Sequence, residues 1–206
     1  MKRALPSLFV SQVAFALLLA AALLLAAPPP EKEQVLEIDP ALTEVEFTLS
    51  DILHTVHGKF QLKRGAMRLD PTAGTASGEL VVDAASGISG NKARDRRMRD
   101  DILEAGKFPE IIFRPDRIIG KLAENGPSKI ELHGTFMIHG SAHELLLPLE
   151  VQAGNGQYKA ATEFDIPYVK WGMKNPSTLF LRVSDRVKIH IQTVAHPEKP
   201  PLSQLR

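Results

Sequence analysis

The chain has 206 residues, 25 basic against 24 acidic, a formal charge of +1 and no cysteine. That length allows one domain with a sizeable core plus a targeting segment. The missing thiol excludes disulfides, thiol chemistry and a lipidated cysteine anchor, and the near-neutral balance argues against a nucleic-acid partner.

Residues 1–27 read as an export signal, with Lys2 and Arg3 followed by no charge before Glu31. Residues 4–27 are also long enough to cross a bilayer, which takes about 20 residues, so the segment is a signal peptide or an N-terminal membrane anchor. Residues 28–34 form a stiff, polar, proline-rich spacer. From Val35 the pattern becomes that of strands. Val45, Phe47 and Leu49 alternate with Glu44, Glu46 and Thr48, giving one apolar and one wet face. Further strands are expected at 56–62, 65–69 and 76–84, with Pro71-Thr72-Ala73-Gly74 as a turn.

The period then changes. Residues 91–105 read as one helix, with Met98, Ile102 and Ala105 as a narrow apolar stripe and Gly106 as its stop. Its bases precede its acids, against the macrodipole, and Arg96–Asp100 and Arg97–Asp101 pairs are expected to offset that. Strand patterning resumes at 111–119, 129–138, 144–151, 158–166, 179–183 and 187–194, and residues 195–206 read as a flexible tail. Eight to ten strands joined by short turns fit an up-and-down antiparallel barrel interrupted by one helix. A barrel of about eight strands is just wide enough for one slender ligand, and inward faces of Val, Leu, Ile and Phe would make that ligand apolar.

Several motifs together resemble one family. They are Val45-Glu46-Phe47 followed by His54-Thr55-Val56-His57-Gly58-Lys59-Phe60, and the Arg94-Asp95 helix leading to Phe108-Pro109-Glu110-Ile111-Ile112-Phe113. The third is Gly134-Thr135-Phe136-Met137-Ile138-His139-Gly140, continuing to Leu147-Pro148-Leu149. In that order the stretch 35–194 resembles the YceI-like domain proteins, which are also called polyisoprenoid-binding proteins. The resemblance implies an all-β, lipocalin-like, eight-stranded antiparallel barrel enclosing an isoprenoid or similar lipid in the bacterial periplasm. The chain departs from the family's pattern before the helix, where Gly87-Ile88-Ser89-Gly90 replaces a Ser/Thr-rich approach, and in the segment 171–177.

Candidate cavity-lining residues are Phe47, Val56, Phe60, Phe136, Ile138, Leu147 and Phe164. Arg94, Arg97, Lys170, Trp171 and Lys174 are candidates for meeting a head group at the mouth, Trp171 either as a plug or as a lid. Met98, Ile102 and Phe108 read as helix-to-barrel packing. His54 and His57 fall on opposite faces of a strand, and His133 and His139 face outward, so no metal site is expected. Ser86, Ser89, Ser141, Ser177 and Ser184 lie in loops without a nucleophile elbow, and no enzyme or cofactor is expected. The leading reading is a non-enzymatic protein that binds, stores or transports an apolar isoprenoid-type lipid, a polyisoprenoid or isoprenoid quinone. The alternative is a structural, stress-related envelope barrel filled by its own side chains. Membrane association through residues 1–27 and a homodimer through edge strands stay open.

Overall fold

The computed structural model describes residues 33–50, 54–178 and 182–198. Ten strands form one antiparallel sheet that closes on itself. β1 (Gln34–Ile38) and β2 (Glu44–Ser50) follow one another along the same edge of the last strand, β10 (Val187–Pro197). Between them lies a single 3₁₀ turn, Pro40–Leu42, where Asp39 accepts a hydrogen bond from the Ala41 amide at 2.8 Å. Pro40 has no N–H to continue a ladder, so the break falls there. β3 (Thr55–Phe60) and β4 (Leu62–Asp70) are the matching second broken strand, β3 pairing with β2 and β4 with β1.

The circuit continues through β5 (Thr75–Asp83), β6 (Glu110–Gly120), β7 (Gly126–Ile138), β8 (Ser141–Gly154) and β9 (Gln157–Ile166) back to β10. Counting each broken strand once, this is the eight-stranded barrel expected from the sequence. Closure comes from β1 on β10, with Leu36 opposite Pro197 and Ile38 opposite Ala195. The last strand therefore runs through 195–197, which the sequence reading gave to a tail, because β1 needs a partner there. Residues 199–206 lie outside the described residues, as do 1–32 and most of the strand expected at 179–183. β1 also starts at Gln34, one residue inside the expected spacer.

β3 has no strand on its outer side, and the chain after β5 takes that place. Lys59 and Ile88 exchange both backbone hydrogen bonds, at 2.9 and 3.0 Å. This close approach explains Gly58. A Cβ there would stand 2.4 Å from the Phe47 ring and 2.5 Å from the Ile88 carbonyl oxygen.

The helical segment differs from its expected form. Helix α1 spans only Lys92–Arg97, capped by Asn91, whose side chain accepts from the amides of Ala93 and Arg94. A π turn, Met98–Ile102, follows it. The extra residue in that turn shifts the helical register, so the expected i,i+4 ion pairs do not form. Asp100 instead pairs with Arg99 at 2.8 Å, and that guanidinium holds its carboxyl below the usual range. The segment stops at Glu104, which takes the left-handed conformation (φ 45°), rather than at Gly106.

One pairing ends early. β8 and β9 are joined from Gly154↔Gln157 to Glu150↔Ala161 and no further, although β8 runs on to Ser141 and β9 to Ile166. Pro148 supplies the reason. Opposite Glu131 in the unbroken β7–β8 ladder, it must occupy a non-hydrogen-bonded position, so its nitrogen faces β9. The next hydrogen-bonded pair with β9 would be Pro148 with Glu163, and it lacks the donor that pair needs.

Candidate ligand cavity

The barrel interior holds two apolar voids. The upper one, about 130 Å³, is bounded by β2, β3, β5, β6, β7, β9 and β10 and roofed by the helical segment and the loop after β9. The lower one, about 70 Å³, sits among Leu36, Met67, Leu132, Leu147 and Tyr158. Ile191 belongs to both walls. Among the described residues no Asp, Glu, Lys, Arg or His side chain lines either void.

Among the sequence candidates, Phe47, Phe60, Phe136, Ile138 and Phe164 line the upper void, and Leu147 lines the lower one. Val56 is half-buried against the core but belongs to neither wall. Their order along the strands gives the geometry. Alternate residues of a strand share a face, and Phe47 and Phe60 meet with ring centroids 5.4 Å apart. Phe136 and Phe164 stand edge to face, with centroids 6.4 Å apart.

The roof residues were not among the cavity-lining residues expected from sequence. Met98, Ile102 and Leu103 contribute to the upper wall from the helical segment, as do Tyr168, Met173 and Pro176 from the loop. The Met98/Ile102 stripe was the available signal, read there as packing on the barrel. Tyr168 donates its hydroxyl proton to the Ser184 carbonyl at 2.7 Å. Burial, with the charge of Asp185 adding to it, pushes its pKa up to about 12, so the phenol stays neutral. Phe108 lies elsewhere, against His139 and Gly140 at the β7–β8 turn.

The mouth candidates do not converge on the upper void. Arg94 is folded onto Ser89, donating to its hydroxyl at 2.7 Å and its carbonyl at 2.8 Å, while Asp95 accepts from the same hydroxyl. Arg97 and Lys170 are exposed. Lys174 is exposed near Glu104, whose carboxyl is held below its usual range chiefly by Lys107 at 3.0 Å, with His139 and Lys174 adding to it. Trp171 is half-buried and lies flat on the His143 ring, with centroids 4.0 Å apart and 7° between planes. It also meets the Phe136 ring, with centroids 5.8 Å apart.

The histidines are dispersed. His133 stands on the outer face between Asp116 and Glu144, both at 2.7 Å, and the bond to Asp116 raises its pKa. His57 is exposed and bonded to Thr48. His143 turns inward opposite Phe136, and burial lowers its pKa. Among the described residues no three His, Asp or Glu side chains are grouped to hold a metal, and no helix is long and apolar enough to cross a membrane.

Three comparisons bear on this arrangement. Crystal structures with the same fold include Burkholderia cenocepacia BcnA (TM-score 0.63, 19% identity, covering 76% of this chain and 98% of that one). Another is a polyisoprenoid binding domain from Saccharophagus degradans implicated in plant cell wall breakdown (TM-score 0.63, 17% identity, 80% and 99%). A third is the Campylobacter jejuni YCEI protein (TM-score 0.56, 21% identity, 71% and 88%). No curated protein sequence matches significantly. The profile of the YceI-like domain matches residues 36–195, almost the whole barrel, and the chain belongs to that family.

Proposed function

We propose that the protein binds an apolar lipid inside the barrel, without catalysing a reaction on it. The observation that carries this reading is the chemistry of the interior, two voids sharing Ile191 with no charged side chain among the described residues of either wall. Binding there is burial, at about 0.8 kcal/mol for each CH₂ removed from water. Membership of the YceI-like family, and the polyisoprenoid-binding domain that shares the fold, support a lipid role and favour an isoprenoid chain. Storage or transport in the bacterial periplasm, after export by residues 1–27 or while anchored through them, completes the reading.

The ligand must make its own room. A cavity of about 150 Å³ holds one benzene ring, so neither void accepts a long chain as it stands. Met98, Met173 and Ile191 are the side chains whose rotation enlarges and joins the voids, and methionine adapts readily to such repacking. The small voids are also the observation that favours the second reading, an envelope barrel filled by its own side chains.

Organic extraction of protein purified from its native envelope, followed by mass spectrometry, separates the two. A stoichiometric isoprenoid or quinone, lost in Phe136→Asp, is the expected result. Protein that carries no lipid and takes up none in vitro overturns the binding reading.

A further inference from the structure

The wall of the barrel lacks strand pairing at two places among the described residues, the outer side of β3, where the single Lys59–Ile88 bridge stands in, and part of the β8–β9 seam. Between β8 and β9 the ladder stops at Glu150↔Ala161 and does not resume, leaving residues 144–149 and 162–166 facing each other without pairing. The irregularities in β4–β5, β5–β6 and β6–β7 have paired residues on both sides, and the longest of them, in β5–β6, is spanned by Arg114 and Glu79 at 3.1 Å.

Two buried side-chain polar atoms lack a hydrogen-bond partner among the described residues. They are His143 Nε2 and Thr162 Oγ1. One belongs to each strand of the gap, Thr162 at its closed end and His143 at its open end. At the closed end Ile130, Leu149, Ala161 and Thr162 border both the lower void and a groove on the outer surface, so one layer of side chains separates inside from outside. At the open end Trp171, carried by the loop that continues β9, reaches across to His143 of β8 and Phe136 of β7. It joins the two sides by stacking where backbone bonds are absent. Leu146, 47% exposed, adds an apolar side chain to the outer lip.

We infer that the β8–β9 gap is a side portal through which an apolar chain passes into the barrel, opened by Pro148 and plugged by Trp171. This rests on the lipid-binding reading and adds the route that reading lacks. A chain that must push side chains apart does so where no ladder hydrogen bond has to break. Leu145, Leu147, Leu149 and Phe164 give the inner lips an apolar lining between Thr162 at one end and His143 at the other. The two orphaned polar atoms mark where the ligand's own polar group, or a water travelling with it, finds a partner in transit.

The test bridges the gap. The chain has no cysteine, so Leu146→Cys with Asp165→Cys introduces the only two thiols, on exposed positions that face each other if the β8–β9 register is continued. A short, reducible bis-maleimide ties them, and uptake of a pyrene-labelled long-chain alcohol is followed by its emission. Bridging is expected to slow uptake about tenfold relative to the same protein carrying a monofunctional maleimide on both thiols, with recovery on reduction. Pro148→Val restores the missing donor and is expected to slow uptake in the same direction without any reagent. Trp171→Ala is expected to speed release about tenfold. Equal rates for bridged and reduced protein, or for Pro148→Val and the parent, overturn the portal and leave entry beneath the helical roof. An unmodified protein that never takes up the alcohol overturns the lipid-binding reading itself, an outcome that needs no bridge to be seen.

Discussion

The lower and upper halves of the barrel close in different ways. Below, β8 turns tightly into β9 between Gly154 and Gln157, β1 seals onto β10, and Leu132 is 1% exposed within a continuous apolar packing. Above, β3 borrows a partner from the segment after β5, β8 parts from β9, and a π turn and a loop supply the roof. Backbone hydrogen bonds hold the first half, and side chains hold much of the second. A half fixed by ladders keeps its shape, while a half fixed by rotatable Met, Trp and Phe side chains can admit something.

Substitutions in the two halves are expected to separate accordingly. Leu132→Ala removes the best-buried side chain of the lower half and is expected to destabilise by about 2–5 kcal/mol in urea unfolding. Phe164→Ala deletes a larger side chain from the upper half. Because that ring is half-exposed beside an existing void, the expected cost is smaller, about 1–3 kcal/mol. A loss at Phe164 matching that at Leu132 would break the comparison.

Acid gives the finest test. Burial lowers the pKa of His143, so the stability carried by its neutral form is complete above the ordinary value of 6.5. It is lost as the pH falls below that toward the lowered value. His133 works in the opposite sense on the outer face. Asp116 raises its pKa, so its contribution is complete below 6.5 and is lost as the pH rises through the raised value. Trp171 is the only tryptophan and lies on His143, so its fluorescence isolates the inward group. Quenching or a red shift on acidification, abolished in His143→Gln, is the expected outcome, and a signal flat from pH 7 to pH 5 contradicts it.

The strands were legible because alternation is a local signal. Val45, Phe47 and Leu49 read as one face, and all three line the upper void. What sequence periodicity missed depends on partners distant in the chain. Residues 195–197 form a strand because β1 lies beside them, and Arg94 is taken up by Ser89 rather than by the mouth. The helical stripe was seen, but a π turn has no sequence period of its own, so the segment's length and its stop at Glu104 were misread. Pro148 was in plain view as part of a motif. Its meaning appears only once the β7–β8 register fixes which way its nitrogen points.

Closure through β1 and β10 also orders events in time. Leu36 meets Pro197, so the seal joins the first strand of the barrel to its last across nearly the whole domain. A chain emerging from its N-terminal end can form hairpins as it appears, but β1 lacks its β10 partner until residues 187–197 are out. Such long-range contacts fold slowly. Until then the side of β1 that pairs with β10 lacks that partner, and the barrel cannot close.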